Sequence, residues 1–503
     1  MILVWILILP LLSGILVWST GEGNRRWARA ATIVALAFDT LLLIWLWGRH
    51  SGFADVTGKA EWIAQFSAPW IPQLGIHFSL AMDGLALLMA LLTCVVGLVV
   101  TFTMNQNRAN PGLHTLLLMT LIAAMLGVFL AADLILFFVF YELMLLPAYG
   151  LIVLYGNGDT WRAATRFFVF TQAAGLLMFI AILGLHVTHY QAAGEQTFAY
   201  LELVNTPLPL SIAMLFLAGF FVAFAVKLPL VPFHTWQPEA YACAPTEASI
   251  LFSAIMAKTA GYGLLRFVVP LFPEAVEHAA PWAMALGVAT ILYASWLAYG
   301  QTDLKRLIAY SSAGHLGYVV LGAFALNDLG TRGAIMLMVC HGISVTGLFL
   351  LADVIEQHTG TRDIERLGGL WKSAPRMGSV ALFFALATLG LPGIGNFVGE
   401  FLVLVGAFQS HPVIAATAAS GAVLAAAYSL RFVQRVLFGP EPVQTQIAEI
   451  AAPTFAVCVA LICVLVWLGL YPQPVLDTAR IAYDRISSSV IATATHRSAG
   501  DRP

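Results

Sequence analysis

Apolar runs of about 20 residues recur along this whole 503-residue sequence, and they constrain its fold more than any other feature. A helix of that length crosses the roughly 30 Å hydrocarbon core of a bilayer. Only 10% of the residues are charged, against ~25% in typical soluble domains. The sequence therefore predicts an all-α, polytopic membrane protein with about fourteen transmembrane helices. The runs lie near residues 2–20, 28–48, 79–103, 114–131, 133–156, 163–186, 210–232, 246–271, 282–300, 308–326, 331–356, 378–407, 413–437 and 453–473.

The even spacing of these runs also predicts the domain organisation. Every 60-residue window contains one, which leaves no room for an appended soluble domain. We expect one transmembrane domain over residues 1–473, followed by a polar tail over 474–503 that begins as a surface helix. The opening segment MILVWILILPLLSGILVW lacks a basic region and a small-residue cleavage site, so we interpret it as the first span.

Proline and glycine interrupt two of the predicted spans. The seventh reads AFAVKLPLVPFHTWQPEA over 223–240, and the twelfth reads ATLGLPGIGNFVGEF over 387–401. Open backbone at membrane depth is tolerated only inside protein or along a hydrated cavity. Broken helices at corresponding places in two halves are typical of transporters built from inverted repeats. The pattern predicts two inverted five-helix repeats, at approximately 114–271 and 282–437.

Basic residues predict the orientation of the chain. If the N terminus is outside and fourteen spans alternate, the inner side carries fourteen of the 24 Lys and Arg residues. The outer side carries eight, four of them in the tail, and Lys227 and Lys258 lie within spans. Because excess Lys and Arg marks the cytoplasmic side, we expect both termini to be periplasmic. Alanine richness and the lack of a transit-like presequence favour a bacterial inner membrane.

The five cysteines argue against a redox centre in this chain. They form no CxxC pair, and all except Cys243 fall within apolar spans. Neither iron–sulfur nor zinc ligation is expected from such an arrangement. We expect no metal or cofactor in this chain, and no nucleic-acid partner.

Ionisable side chains inside the predicted spans are the strongest indication of function. A carboxylate or ammonium group in hydrocarbon is costly, and such groups mostly mark ion paths or proton relays. Lysine and carboxyl groups in a low dielectric titrate nearer neutral pH, where histidine already does, so this set favours protons over sodium. The candidates are Glu142, Lys227, Lys258, His315, His341 and Glu400, with His234 just beyond the first break.

A purely structural role for these residues is the alternative. One buried Glu–Lys pair can be retained for architecture alone, because breaking it costs about 3–5 kcal/mol. Two glutamates, two lysines and several histidines spread over six spans fit that interpretation poorly. Replacing Lys258 by alanine distinguishes the structural from the functional interpretation, because a structural role predicts that proton pumping stays intact.

Other charged residues have ordinary structural interpretations. Asp83 and Asp133 lie at the ends of spans, where capping of the following helix is expected. Arg266 is expected to reach the membrane interface by snorkelling. Glu239 and Glu247 flank the seventh and eighth spans and are expected at the surface or rim.

Several long motifs resemble those of the antiporter-like membrane subunits of respiratory complex I, and within them the chain M, or subunit-4, type. The resemblance runs from the first span to about residue 473. In YELMLLP, tyrosine precedes Glu142, whereas tryptophan more usually precedes the glutamate in this family. The motifs are FAVKLPLVPFHTWQPEAYACAPTEAS, MAKTAGYGLLRF, DLKRLIAYSSAGHLGYV, HGISVTGLFLLADVIEQHTGTRDIERLGGL and LGLPGIGNFVGEF.

The resemblance implies a switch within the membrane. Glu142 and Lys227 would form a coupling ion pair between the fifth and seventh helices, and Lys258 would be the central proton carrier. When a neighbouring subunit separates the pair, the unpaired charge of Lys227 would favour proton loss from Lys258. When the pair re-forms, Lys258 would reload.

The resemblance also implies the rest of the route. His315 and His341 would continue a hydrated axis towards Glu400, and His234 would belong to a polar network on the cytoplasmic side. Related cation/proton antiporters, and the chain L and N types, typically carry lysine at the position of Glu400. That difference favours complex I over an antiporter.

The implied activity is proton translocation as a subunit of NADH:quinone oxidoreductase, an enzyme whose redox steps occur in other chains. NADH, FMN, iron–sulfur clusters and quinone would be bound by partner subunits. The implied partners are other membrane-arm subunits, especially neighbouring antiporter-like ones, and lipids. A subunit of a multisubunit cation/proton antiporter or of a related membrane-bound hydrogenase stays open as the alternative.

Overall fold

A computed structural model of the protein describes residues 1–20, 25–50, 62–104, 108–440 and 448–480. Most of the predicted tail over 474–503 therefore lies outside the described residues. The first half of the chain forms α1 (Ile2–Ser19), α2 (Arg25–His50), β1 (Ala64–Ile71), β2 (Ile76–Met82), α3 (Gly84–Thr103), α4 (Pro111–Leu130), α5 (Leu134–Leu143), α6 (Leu145–Tyr155), α7 (Thr160–Ala193), α8 (Tyr200–Leu203), α9 (Leu210–Lys227), α10 (Gln237–Cys243), α11 (Thr246–Leu251), α12 (Ala257–Gly263) and α13 (Val269–Leu271). The second half forms α14 (Pro273–Tyr299), α15 (Leu304–Ala323), α16 (Asp328–Thr359), α17 (Leu370–Ser373), α18 (Pro375–Thr388), α19 (Gly395–Ser410), α20 (Pro412–Ala419), α21 (Gly421–Phe432) and α22 (Ala452–Leu470).

The predicted helical membrane fold is confirmed. Within the described residues, twelve helical segments are long and apolar enough to cross a membrane. The two predicted spans outside these twelve fall on α15, which begins with charged residues, and on α18 and α19, which are only 14 and 16 residues long. The count of fourteen spans stays a prediction.

One β-hairpin interrupts the helical pattern between the second and third predicted spans and overlaps the start of the third. Strands β1 and β2 pair antiparallel, with Ala64 opposite Met82. Leu80 of this hairpin also bridges Ala131, which follows α4. The hairpin therefore packs at the end of the bundle where α4 stops and α5 starts. Residues 51–61, which precede the hairpin, lie outside the described part.

The segment α11–α13 and helix α16 form the centre of the bundle. In both, every residue of the most apolar window is buried, whereas only 22% of that window is buried in α22. Two π-helical turns, Phe252–Met256 and Leu264–Val268, join α11, α12 and α13. Such widened turns redirect side chains and often occur at functional sites. Ionisable residues within these buried windows, Lys258 among them, are therefore enclosed by protein.

Small residues allow the central helices to approach closely. A Cβ atom on Gly399 of α19 would lie 2.7 Å from the backbone nitrogen of Leu337 on α16. A Cβ atom on Gly333 of α16 would lie 2.6 Å from the nitrogen of Val403. Close packing of this kind drives helix association in membranes, where apolar burial alone supplies little.

The first predicted break follows α9. Pro229 has no N–H, so the carbonyl of Ala225 loses its helical donor, and the N–H of Leu230 donates to it instead at 2.8 Å. The N–H of Val231 donates to Oγ1 of Thr290 on α14 at 3.0 Å. The open backbone is thus satisfied inside the protein, as its depth in the membrane requires.

Aromatic side chains complete the same break. The indole Nε1 of Trp236 donates to the carbonyl of Val226 at 3.0 Å. The hydroxyl of Tyr141 on α5 donates to the carbonyl of Ala223 at 3.1 Å. The last turn of α9 is therefore held from two sides.

The second predicted break separates α18 from α19. Gly390 and Gly393 both adopt positive φ angles, of 75° and 94°, which favour glycine. The N–H of Leu391 donates to the carbonyl of Leu386 at 3.2 Å, which closes the end of the helix. Both interruptions predicted from the sequence are present.

Replacing Thr290 by valine should lower the stability of the protein. Valine keeps the shape of threonine but leaves the partly buried N–H of Val231 without the Thr290 hydroxyl, which costs about 1–3 kcal/mol. A lower midpoint of thermal unfolding in detergent is expected. Thr417→Val is the control, because that exposed hydroxyl bonds only to its own helix, at the carbonyl of Val413. Equal midpoints for the two variants would contradict the role of Thr290.

Candidate functional site

The predicted site residues lie on six helices and one 3₁₀ turn. All are buried except Glu142, which is half-buried. They are Glu142 on α5, Lys227 at the end of α9, His234 in the 3₁₀ turn Phe233–Trp236, Lys258 on α12, His315 on α15, His341 on α16 and Glu400 on α19.

Lys227 binds the aromatic residue that precedes Glu142. Its Nζ donates to the carbonyl oxygen of Tyr141 at 3.2 Å and lies 3.3 Å from the centroid of the Tyr141 ring. A desolvated ammonium group over an aromatic face is attracted by the ring quadrupole. The lysine therefore keeps its charge compensated without touching a carboxylate.

Glu142 is a neighbour of Lys227 but is not ion-paired with it. Among the described residues, neither carboxylate oxygen of Glu142 has a hydrogen-bond partner, and no ion pair joins the two side chains. Gln172 on α7 faces the carboxylate without meeting hydrogen-bond geometry. The direct ion pair expected from the resemblance is thus not formed in this structure, because the amine is turned towards Tyr141.

Lys258 lies at the centre of the most buried part of the bundle. Its Nζ lies 2.6 Å from the carbonyl oxygen of Ser253 and 2.6 Å from Nδ1 of His341. Ser253 is five residues earlier, which the π-helical turn Phe252–Met256 brings to this position. The hydroxyl of Ser253 is 2.9 Å from that of Ser312 on α15.

His341, His315 and Glu400 continue the contacts away from Lys258. The rings of His341 and His315 lie 5.2 Å apart between centroids. Nδ1 of His315 is 3.0 Å from Oε1 of Glu400, although the two groups are not aligned as a hydrogen bond. Nε2 of His315 is 3.5 Å from the hydroxyl of Tyr428 on α21. These contacts bring Lys258, two histidines and Glu400 together on four helices.

His234 and Lys227 lie apart from that chain of contacts. His234 packs against Tyr293 and Tyr310, with ring centroids 5.5 and 6.3 Å away, and its Nδ1 has no hydrogen-bond partner in the described chain. No hydrogen bond joins Lys227 to Lys258 in the same residues. A proton passing between the two lysines would need water.

Four hydroxyl-bearing residues of the site were missed by sequence reasoning. They are Tyr141, Ser253, Ser312 and Tyr428. Serine and tyrosine are common in membrane helices, so their presence alone gives no signal. Only the departure from tryptophan before Glu142 distinguished Tyr141.

The caps predicted at two helix starts are confirmed. Oδ1 of Asp83 accepts the N–H of Ala86 at 2.9 Å. Asp133 accepts the first backbone N–H groups of α5 and also that of His77. Burial raises the pKa of the Asp133 carboxyl, while these three N–H groups oppose that shift by favouring the charged form.

Two structural interpretations need correction. Arg266 does not snorkel: its side chain is buried, and its NH1 donates to Oδ2 of Asp83 at 2.6 Å. Because the buried Asp83 carboxylate pairs with the guanidinium group, Arg266 does not need to reach water. Glu247 is also buried and pairs with Arg108 at 2.9 Å, whereas Glu239 is partly exposed, as expected, and pairs with Arg166 at 2.7 Å.

A polar cavity opens at the end of the bundle where α7 begins and α10 ends. Its volume is about 410 Å³. It lies away from the chain of contacts at Lys258. Its charged lining residues are Asp159, Arg162, Glu239, Asp303, Arg306 and Arg362.

The close contacts of the site join groups that can bind and release protons. Within the part of the chain that the structure describes, no group of three or more His, Cys, Asp and Glu could hold a metal. The close contacts run from the amine of Lys258 through the imidazoles of His341 and His315 to the carboxylate of Glu400. Each of these groups can bind and release a proton, so the arrangement can pass protons through the interior of the bundle.

Known proteins resemble this chain over nearly its whole length. The family described as "NADH:quinone oxidoreductase/Mrp antiporter, TM" matches residues 131–425. NADH-quinone oxidoreductase subunit M of Escherichia coli is 44% identical, over 98% of this chain and 99% of the relative. Subunit M of Pseudomonas aeruginosa is also 44% identical, over 95% of this chain and 96% of the relative.

A solved structure resembles the fold closely. A chain of respiratory complex I from Thermus thermophilus superposes with a TM-score of 0.87 at 30% identity, over 97% of this chain and all of that one. The shared motifs, the broken membrane helices and these matches agree. The chain belongs to the family of antiporter-type membrane subunits of NADH:quinone oxidoreductase.

Proposed function

We propose that this chain is a proton-translocating membrane subunit of a bacterial NADH:quinone oxidoreductase, complex I. The observation that carries the proposal is the row of close contacts from Lys258 through His341 and His315 to Glu400. Lys258 and His341 lie in the most enclosed segments of the bundle, where a charge without a function would be costly. Family membership supplies the energy source, NADH oxidation and quinone reduction in other subunits.

The proposed switch consists of Glu142 and Lys227, whose opposite charges are neighbours. When they are apart, the positive charge of Lys227 repels a proton on Lys258 through the low-dielectric interior. When they pair, Lys258 reloads. The separation of Lys227 from Glu142 in this structure supports the existence of the first of these two states.

The remaining groups form the proposed route. His341 and His315 carry protons from Lys258 to Glu400, which leads to one face of the membrane or to the next subunit. His234 belongs to the polar network on the cytoplasmic side. Carboxylate chemistry at Glu400, rather than lysine, favours complex I over a cation/proton antiporter.

The architecture is proposed to be two inverted five-helix repeats, at approximately 114–271 and 282–437, within one transmembrane domain over 1–473. Fourteen spans place both termini on the periplasmic side of the bacterial inner membrane. Neighbouring membrane-arm subunits and lipids are the proposed partners. FMN, iron–sulfur clusters, NADH and quinone are bound by other chains of the complex.

Glu142→Ala should inactivate the switch without preventing assembly of the complex. We expect NADH-driven proton uptake and NADH oxidation in inverted membrane vesicles to fall together by about tenfold, the factor that about 1.4 kcal/mol of coupling energy supplies. Assembly of the complex is verified first on native gels.

Glu195→Ala is the matched control, because Glu195 is exposed after α7. Its rates should equal those of the wild type. If the Glu142 variant also matches the wild type in both rates, Glu142 is at most structural and the proposed mechanism is wrong.

A further inference from the structure

We propose that Tyr141 and Gly175 are positioning residues that hold Lys227 and Glu142 apart, so that the unpaired arrangement is a built state of the switch. This inference rests on the proposed function and adds to it a defined position for each charge. Tyr141 provides the position for the amine. Gly175 on α7 provides the position for the carboxylate.

The amine position is formed by a ring that cannot turn away. Its hydroxyl is anchored to the carbonyl of Ala223, one turn before Lys227 on the same helix. Phe137 and Phe224 pack against the Tyr141 ring with centroids 5.6 and 5.9 Å away. The ring face and the Tyr141 carbonyl therefore meet Lys227 in a fixed geometry.

The carboxylate position depends on a missing side chain. The three atoms nearest to a Cβ built on Gly175 all belong to the carboxyl group of Glu142, and Oε1 would overlap with it. The carboxyl group thus occupies the space that any other residue at position 175 would fill. Because only the end of a flexible side chain is in the way, alanine there displaces the carboxyl group and leaves the backbone of α7 unchanged.

The two positions explain how a close pair of opposite charges stays apart. An uncompensated Lys227 would move to Glu142, since the attraction in a low dielectric is strong. Cation–π attraction and a carbonyl compensate the amine without neutralising it, so its field still reaches Lys258. A switch requires two such discrete arrangements.

The test uses Tyr141→Leu and Gly175→Ala in the assembled complex. Each removes one position and should shift the pair towards contact, so NADH-driven proton uptake is expected to fall. For Tyr141→Leu the expected fall is about thirtyfold, the factor that loss of a desolvated cation–π contact supplies, and for Gly175→Ala it is at least about tenfold. Tyr141→Trp keeps a ring face and a hydrogen-bond donor and should stay within about twofold of the wild type. Tyr141→Phe keeps the ring face but loses the hydroxyl anchor, so its uptake should fall between that of Tyr141→Leu and that of the wild type.

Labelling of Glu142 gives a readout that a structural role would not move. Dicyclohexylcarbodiimide, an apolar reagent for buried carboxyl groups, should label Glu142 in the wild type, as measured by mass spectrometry. Labelling should fall in Tyr141→Leu and Gly175→Ala, because ion pairing with Lys227 protects the carboxylate. Tyr149→Leu is the control, since that ring packs on Trp161 and Phe168 instead.

The outcomes separate this inference from the proposed function. If Glu142→Ala abolishes uptake while Tyr141→Leu and Gly175→Ala behave as wild type, the two positions have no role and the proton-pumping function stands. Loss of uptake with unchanged labelling would reduce both residues to structural ones. If Tyr141→Leu fails to assemble, the roles of the two positions are tested with Gly175→Ala and Tyr141→Trp instead. Normal uptake in Glu142→Ala would overturn the proposed function itself.

Discussion

Replacing Lys258 by alanine should reduce NADH-driven proton uptake by at least about a hundredfold, the lower range of what a positioned proton-transfer group contributes. The ammonium group joins the Ser253 carbonyl to Nδ1 of His341, with 2.6 Å on each side. Alanine removes the titratable group that contacts Nδ1 of His341. The chain of contacts would therefore be cut at its centre.

A second substitution separates chemistry from packing at this position. Lys258→Met fills most of the same volume without a charge and should lose uptake to the same extent. Lys372→Ala, at an exposed position in α17, is the control and should pump normally. Intact pumping in an assembled Lys258→Ala complex would instead identify the buried charges as structural.

Breaking the Asp83–Arg266 pair should have the largest effect on stability. Both side chains are buried, and NH1 of Arg266 lies 2.6 Å from Oδ2 of Asp83. The guanidinium group also lies over the rings of Trp62 and Tyr200, at 4.6 and 5.1 Å. Removing one partner leaves an uncompensated buried charge, which costs about 3–5 kcal/mol.

Asp83→Asn is the informative variant, because asparagine still caps α3 and only the charge is lost. We expect much less assembled subunit in the membrane and a lower midpoint of thermal unfolding. Arg266→Met should behave similarly, and the double variant should recover part of the loss, since no unpaired charge is left. Additive losses in the double variant would show that the two residues act independently.

Much of the fold followed from local sequence. Apolar runs predict spans one at a time, because the cost of burying a helix in lipid is nearly a sum over its own residues. Pro229 and Gly390 likewise predict breaks from their own backbone chemistry. The hairpin over residues 64–82 was missed because its strand pairing joins residues across a turn and onto Ala131.

The site was predicted unevenly for the same reason. Glu142 and Lys227 are recognisable because a charge in an apolar run is conspicuous wherever it packs. Their actual partners are not, since Tyr141 and Gly175 carry no charge and are ordinary membrane residues. The resemblance supplied the expectation of an ion pair, and side-chain packing replaced it with separate positions.

By itself, the sequence determined the membrane class, the two breaks, the buried ionisable residues and the family. Each of these depends on residue type and on neighbours along the chain. The tertiary structure alone decided which groups meet: Lys258 with His341, His315 with Glu400, and Arg266 with Asp83. These contacts join residues 83, 85 and 183 positions apart, and they depend on how each helix is rotated and on where a glycine lets another helix approach.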